Sequence, residues 1–227
     1  KDDEINNKIV KLTKIKKINP TIKVKNKIKK IVLEGGAIDV NGKGSVILTR
    51  ECLLSKVQER NPGISKLNLE NSLRKYLNIK NFIWLNKGIE GDDTHGHVDD
   101  IARFVSPNTI MTAVEKNKKD KNFKILRENL KILKRSKNID GKKFRIIQIP
   151  MPKAIYINKV KVPASYLNFY IANKIILLPF FNDKHDKMAF SIFKRFFKKR
   201  KIIPINCSEL IWGFGAIHCM TQQEPLI

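Results

Sequence analysis

The sequence predicts an α/β fold built from serial ββαβ-like modules, and three observations lead there. Apolar runs of strand length come in pairs joined by glycine, asparagine or proline turns. A stretch with apolar residues at helical spacing follows each pair. The unit recurs at intervals of roughly 50 to 65 residues, which favours modules in series over one doubly wound sheet. With 227 residues, 42% hydrophobic and 30% charged, the chain can bury a core of ordinary size in one domain or at most two.

Residues 1–28 alternate lysine with isolated apolar residues and read as a poorly packed lead-in to a domain covering 29–227. KIVLEGG (30–36) reads as a strand ending at Glu34 on a glycine turn, and GSVILTR (44–50) as a second strand after the turn NGKG. ISKLNLENSLRKYLN (64–78) has apolar residues at helical spacing behind a serine, the pattern of an amphipathic helix. NFIWL (81–85) returns as a strand, and ARFVSPNTIMTAV (102–114) gives two strand pieces about a turn. A helix follows near 121–135, then the strand KFRIIQIPM (143–151). LNFYIANKIILLPFF (167–181) reads as strand, DKMAFSIFKRFFKKR (186–200) as helix and KIIPINC (201–207) as strand, before the glycine-containing loop WGFGAIHCMTQQ (212–223).

The formal charge of +25 would ordinarily point to nucleic acid or an anionic membrane. Its makeup argues otherwise: 37 of the 46 basic residues are lysines, whereas arginine is the side chain that reads bases and clamps phosphates with two bonds at once. Lysine, isoleucine and asparagine all have A/T-rich codons, so most of the excess reads as compositional drift and the lysine runs as solvated faces. Specific nucleic-acid binding is therefore not expected, and a lysine-rich nucleic-acid-binding module is kept as an alternative. Cys52, Cys207 and Cys219 have no CxxC spacing, which suits a reducing compartment. No apolar run reaches the ~18 residues of a membrane span. The start KDDEINN lacks the apolar core of a signal peptide, so a soluble, cytoplasmic protein is expected.

Two segments could carry chemistry. GDDTHGHVDD (91–100) packs four aspartates together with His95 and His97. THGHVDD comes within one residue of the T-H-x-H-x-D-H zinc pattern of metallo-β-lactamase-type hydrolases, so a zinc-dependent hydrolase is a second alternative. It is weakened because Asp100 stands where a histidine belongs, leaving His185 and His218 as the remaining imidazoles. A polar turn explains the segment equally well. In GFGAIHCMTQQ, Cys219 follows Gly213 and Gly215, which let backbone approach a ligand, and precedes three polar side chains, Thr221, Gln222 and Gln223. Cys52 and Cys207 look like core.

Several segments in order, LEGGAIDVNGKGSVILTRECLL, RNPGISKLNLENSLRKYLNIKNFIWLNKGI, GDDTHGHVDDIARF, ASYLNFYIAN and GFGAIHCMTQQEP, resemble the agmatine deiminases of the guanidine-modifying pentein superfamily. The resemblance implies a five-module α/β propeller and a metal-free covalent thiol mechanism without a cofactor. The reaction implied is hydrolysis of agmatine to N-carbamoylputrescine and ammonia, a step toward putrescine. It implies that Cys219 attacks, that His97 serves as acid and base, that Asp99 holds the guanidinium, and that Glu34 orients His97 or shares the substrate. Asp93 is expected to join the substrate-binding carboxylates; His95, Asp92 and Asp100 are expected to support charge or turn.

The match begins near residue 29, and the family's other guanidinium-binding aspartate lies in an N-terminal segment with no counterpart before Glu34. The expectation is an incomplete propeller of about three to four modules lacking its N-terminal third. Its partners would be agmatine and either a second copy or a complementing N-terminal chain. Phe214 and Ala216 replace the family's usual glycine and asparagine, and SKVQERNP is stretched. Agmatine is a dication, so Glu90, Asp92, Asp93, Asp99 and Asp100 are expected to reverse the field of a basic chain at the site mouth.

Overall fold

The computed structural model of the chain describes residues 4–24 and 26–224, so expectations that fall on residues 1–3, 25 and 225–227 lie outside it. In chain order its elements begin with α1 (Ile5–Thr13), β1 (Thr21–Val24) and β2 (Lys27–Lys30). There follow β3 (Ile38–Val40), β4 (Ser45–Thr49), α2 (Arg50–Leu54), α3 (Lys66–Leu77) and β5 (Asn81–Leu85). Next come β6 (Ala102–Ser106), β7 (Thr109–Val114), α4 (Lys121–Arg135) and β8 (Arg145–Pro150). The last are β9 (Ile155–Ile157), β10 (Val160–Val162), β11 (Tyr170–Ile171), β12 (Ile175–Phe180), α5 (Asp186–Phe196) and β13 (Lys201–Asn206).

The ββαβ pattern appears three times among the described residues. In each case two strands form an antiparallel pair, a helical connection follows, and the third strand lies parallel to the second. The sheets are ordered β3-β4-β5, β6-β7-β8 and β11-β12-β13. Central position dictates composition: β4 is buried at all five residues and β7 at five of six, which is why SVILT and TIMTA are apolar or Thr/Ser without alternation. Caps mark two of the helices, the serine at the first as the sequence suggests. Ser65 accepts from the Asn68 amide at α3, and Asp120 accepts from the Asn122 amide at α4.

The contacts divide the chain into two units. The first, residues 1–32 and 61–78, holds α1, the β1–β2 hairpin and α3. α1 buries none of its residues, and β2 runs across residue 28, where the sequence reading ends the lead-in. The Tyr76 hydroxyl of α3 ties to both backbone groups of Thr21. KIVLEGG does not form the expected strand: the Asn61 side chain satisfies both the amide and the carbonyl of Val32 at 2.9 and 2.8 Å, so a side chain replaces a neighbouring strand. The strand lies later, at β3.

The second unit, residues 33–60 and 79–227, contains one continuous apolar core in which Ile47, Leu85, Ile101, Met111, Tyr166, Phe169 and Phe193 are essentially inaccessible. Arg103 organises one side of it. Its Nε pairs with Asp39 of β3, and its Nη1 donates to the carbonyls of Leu167 and Phe169 at 3.2 and 3.1 Å. Asp39 also accepts the Phe104 amide. Three segments that line or support the site are thereby joined through one buried cation. Removing the cation strands Asp39, so Arg103→Met should destabilise this unit by about 3–5 kcal/mol. Chemical denaturation followed by tryptophan fluorescence measures it.

Candidate active site

The acidic, histidine-bearing loop after β5 is folded by its own side chains. Asp92 Oδ2 accepts the amides of Gly96 and His97 at 2.8 and 2.9 Å, while Oδ1 accepts the Thr94 amide at 2.9 Å. Gly96 takes φ +97°, and a Cβ there would meet the Glu51 carboxylate at 3.1 Å, so glycine is required. The Thr49 hydroxyl donates to the Gly96 carbonyl. A short 3₁₀ turn over Val98–Asp100 then buries Asp99 completely.

The cysteine arrives from a second 3₁₀ turn, His218–Met220. Gly215 permits the approach, because a Cβ there would lie 2.8 Å from Cys219 Cβ and 3.1 Å from Sγ. Phe214, at φ +59°, occupies the left-handed region at the place where the resemblance expects glycine. That choice costs roughly 1–2 kcal/mol of backbone strain.

Asn168, fully buried in the segment before β11, joins the two loops. Its amide nitrogen lies 3.0 Å from Cys219 Sγ, 3.0 Å from Asp100 Oδ1 and 3.3 Å from Asp99 Oδ2, and its oxygen accepts the Cys219 amide at 3.2 Å. His218 Nδ1 sits 2.7 Å from Asp99 Oδ2, and Cys219 Sγ is 3.7 Å from the same oxygen.

These groups open onto a cleft of about 720 Å³ whose lining includes Glu34, His97, Asp99, His218 and Cys219. The packing at its floor is tight: a Cβ on Gly36 would come within 2.5 Å of His97 Nδ1 and 2.9 Å of Asp99 Oδ2. Arg60 donates from Nε to Glu34 Oε1 at 2.8 Å and from Nη2 to the Thr94 carbonyl, fixing Glu34 against the histidine loop. Three buried atoms at the site have no hydrogen-bond partner among the described residues: Glu34 Oε2, His97 Nε2 and Asp99 Oδ1. Two carboxylate oxygens and an imidazole nitrogen left unsatisfied constitute a site prepared for a donor-rich cation, the character of a guanidinium.

Electrostatics set the resting state of the sulfur. Burial, followed by the charges of Asp99 and Asp100, pushes the Cys219 thiol well above its ordinary range, and the Asn168 hydrogen bond opposes this only in part. Burial also pushes Asp99 up, but its hydrogen bond to His218 and the His218 and Arg103 charges prevail and hold it below the usual carboxylate range. Asp100 is driven well above that range by burial and by the Asp99 charge. Cys219 therefore rests as a thiol at neutral pH. A bound cation between Asp99 and the sulfur favours the thiolate. Alkylation of Cys219 by iodoacetamide should keep climbing past the ordinary thiol midpoint of about 8.5. Removing one negative charge in Asp99→Asn should bring the midpoint down, and peptide mapping across a pH series reads both.

Of the residues expected at the site, Cys219, His97, Asp99 and Glu34 line one cleft. Asp93 is exposed and stays outside the cleft lining, Asp92 spends its oxygens on loop amides, and Asp100 lies beneath Asp99. The expected acidic mouth is correspondingly narrower. Glu90 faces a separate hollow, where Lys121 and the buried Lys161 neutralise it at 2.6 and 3.2 Å. His95 turns toward Ser55 and joins no group of convergent metal-binding atoms among the described residues, so the zinc-hydrolase pattern is not assembled there. Asn168, Arg60 and the pairing of His218 with Asp99 were not read from the sequence. The adjacency of His218 to Cys219 was the one available signal.

The sequence profile of the Porphyromonas-type peptidyl-arginine deiminases matches residues 1–225. A Legionella pneumophila relative is 40% identical over 196 residues, covering 86% of this chain and 56% of its own length. The agmatine deiminase of Pseudomonas aeruginosa (strain LESB58) is 31% identical across 99% of this chain and 63% of its own. Among solved structures, agmatine deiminase of Enterococcus faecalis superposes with a TM-score of 0.87 at 29% identity, over 99% of this chain and 63% of that one. Substrate-bound agmatine deiminase of C. jejuni gives 0.85 at 29% identity, over 97% and 62%. The chain thus spans less than two thirds of the length of these relatives, and its modules carry the α/β architecture of the pentein-type deiminases. It belongs to the Porphyromonas-type peptidyl-arginine deiminase family.

Proposed function

We propose that the chain is the cysteine-bearing part of an agmatine deiminase, a hydrolase that converts agmatine and water to N-carbamoylputrescine and ammonia. The observation that carries this reading is the convergence of Cys219, Asp99, His97 and Glu34 on one cleft whose free oxygens and nitrogen suit a planar, charged, donor-only head group. Asp99 Oδ1 and Glu34 Oε2 accept N–H bonds from the guanidinium, whose charge favours the Cys219 thiolate. The sulfur attacks the guanidinium carbon. His97 gives a proton to one nitrogen, the C–N bond breaks and ammonia leaves an S-alkylthiouronium on Cys219. Water, losing its proton to His97, adds to the same carbon, and cleavage of the C–S bond returns the thiolate and the ureido product. Agmatine is chosen over arginine because two solved relatives of similar structure and a longer sequence relative are agmatine deiminases. No helix among the described residues is long and apolar enough to cross a membrane.

The test supplies agmatine and arginine separately to the chain in the presence of an N-terminal fragment of a related deiminase, and measures ammonia and ureido product. Turnover of agmatine well above that of arginine is expected. Preference for arginine would overturn the substrate assignment while leaving the covalent mechanism intact.

A further inference from the structure

A second nucleophile-bearing cluster adjoins the cleft through Glu34 and His97, besides the one formed by Asp99, Asp100 and Cys219. Cys52 Sγ, a carboxylate oxygen of Glu34 and a ring nitrogen of His97 all lie within 4.8 Å of one another. Cys52 is 1% exposed and sits on α2, whose start is fixed by the Thr49 hydroxyl accepting the Cys52 amide at 3.1 Å. His97 is 7% exposed, and its Nε2 and Glu34 Oε2 are the buried atoms without hydrogen-bond partners. Proton transfer to a guanidinium needs one of these atoms; it gives no role to a thiol. Cys52 lies outside the cleft lining, and the covalent mechanism does not use it.

We infer that Glu34, Cys52 and His97 form an inhibitory binding site for a thiophilic divalent cation, of which zinc is the natural case. Sulfur, imidazole nitrogen and carboxylate oxygen are the three donor types zinc takes, with bonds of about 2.0–2.3 Å. Tetrahedral donors at such distances stand about 3.5 Å apart, within the 4.8 Å that already bounds the three side chains. Glu34 and His97 also line the cleft, which gives the ion its way in. Arg60 already holds the other oxygen of Glu34, the kind of outer contact that orients a metal-binding carboxylate. The charges balance: a thiolate and a carboxylate neutralise the ion, and Asp92 and Asp99 add negative field at Cys52. Burial, against the opposing charge of Arg60, pushes the free Cys52 thiol up to about 12, so binding the ion releases the Cys52 proton to solvent. The bound ion engages the two side chains that the deiminase reaction needs free. The site itself does not depend on the deiminase reading.

The experiment titrates zinc into the metal-free 227-residue chain against a chromophoric chelator and repeats the titration with cobalt(II), whose thiolate charge-transfer band reports sulfur ligation. One zinc per chain and a thiolate band are expected. Cys52→Ser should abolish the band and weaken zinc by about 100-fold or more, beyond the loss typical of an outer contact. Thermal melts establish that the variant is folded. Should it fail to fold, His97→Gln serves in its place, with the same loss of affinity but the band retained. Absence of zinc binding by the unaltered chain would overturn the inference, as would a band that survives Cys52→Ser. A band lost in Cys219→Ser and kept in Cys52→Ser would place the ion with Asp99 and Asp100 instead, and would overturn it too. None of these readings requires turnover, so an inactive chain leaves the test intact.

Discussion

In the chain complemented with an N-terminal fragment of a related deiminase, replacing Cys219 with serine is expected to abolish ammonia release from agmatine, lowering the rate by roughly 10⁴-fold or more, the scale on which loss of a nucleophile acts. The same change at Cys207, buried at the end of β13 and away from the cleft, should leave the rate within about twofold, in line with a structural cysteine. The asymmetry follows from position. Cys219 lies 3.7 Å from Asp99 and 3.0 Å from Asn168, where a guanidinium held by Asp99 presents its carbon to the sulfur. A serine hydroxyl at that place cannot be ionised by the substrate's charge, because its intrinsic acidity is far below that of a thiol. Binding of agmatine should survive the substitution, so the loss falls on turnover rather than on affinity. Calorimetry of the variant separates the two.

The second large effect concerns the missing length. The chain covers 56–63% of the length of these relatives, and the resemblance assigns to the uncovered part a second aspartate on the guanidinium. Each charge-assisted contact of this kind contributes about 1.5–3 kcal/mol. Its absence, felt both in binding and in the transition state, lowers kcat/KM by about ten- to a hundredfold before any effect of incomplete module packing. The isolated chain should therefore show little or no deiminase activity, and an added N-terminal fragment should restore it. Full activity from the chain alone would mean that a carboxylate already present has taken the vacant role; Asp93, exposed beside the histidine loop, is the one to substitute first.

What the sequence showed and what it hid separate along a physical line. Two of the modules were legible because their central strands β4 and β7 are buried on both faces, so SVILT and TIMTA carry no alternation and stand out as apolar runs. Cys219 was legible because glycines precede it, and Gly215 proves to be a position where a side chain would collide; His97 was legible through the aspartate- and histidine-rich segment that carries the resemblance. Asn168 was not legible as a site residue. Its role depends on contacts with residues 51 and 69 positions away, and nothing in LNFY marks an asparagine that reaches a cysteine. Arg60 was hidden for the same reason, being one basic residue among 46 until the fold sets it on Glu34. The strand expected at KIVLEGG failed because an asparagine side chain occupies the backbone groups of Val32, a tertiary override that local pattern does not encode.

The most direct test of the account is the identity of the atom that becomes covalently bound during turnover. The chain, complemented with the N-terminal fragment, is mixed with agmatine, quenched in acid within the first turnovers and mapped by peptide mass spectrometry. An amidine adduct on Cys219, absent from Cys219→Ser, is the predicted result. An adduct on Cys52 or Cys207, or undiminished turnover by Cys219→Ser, would contradict it.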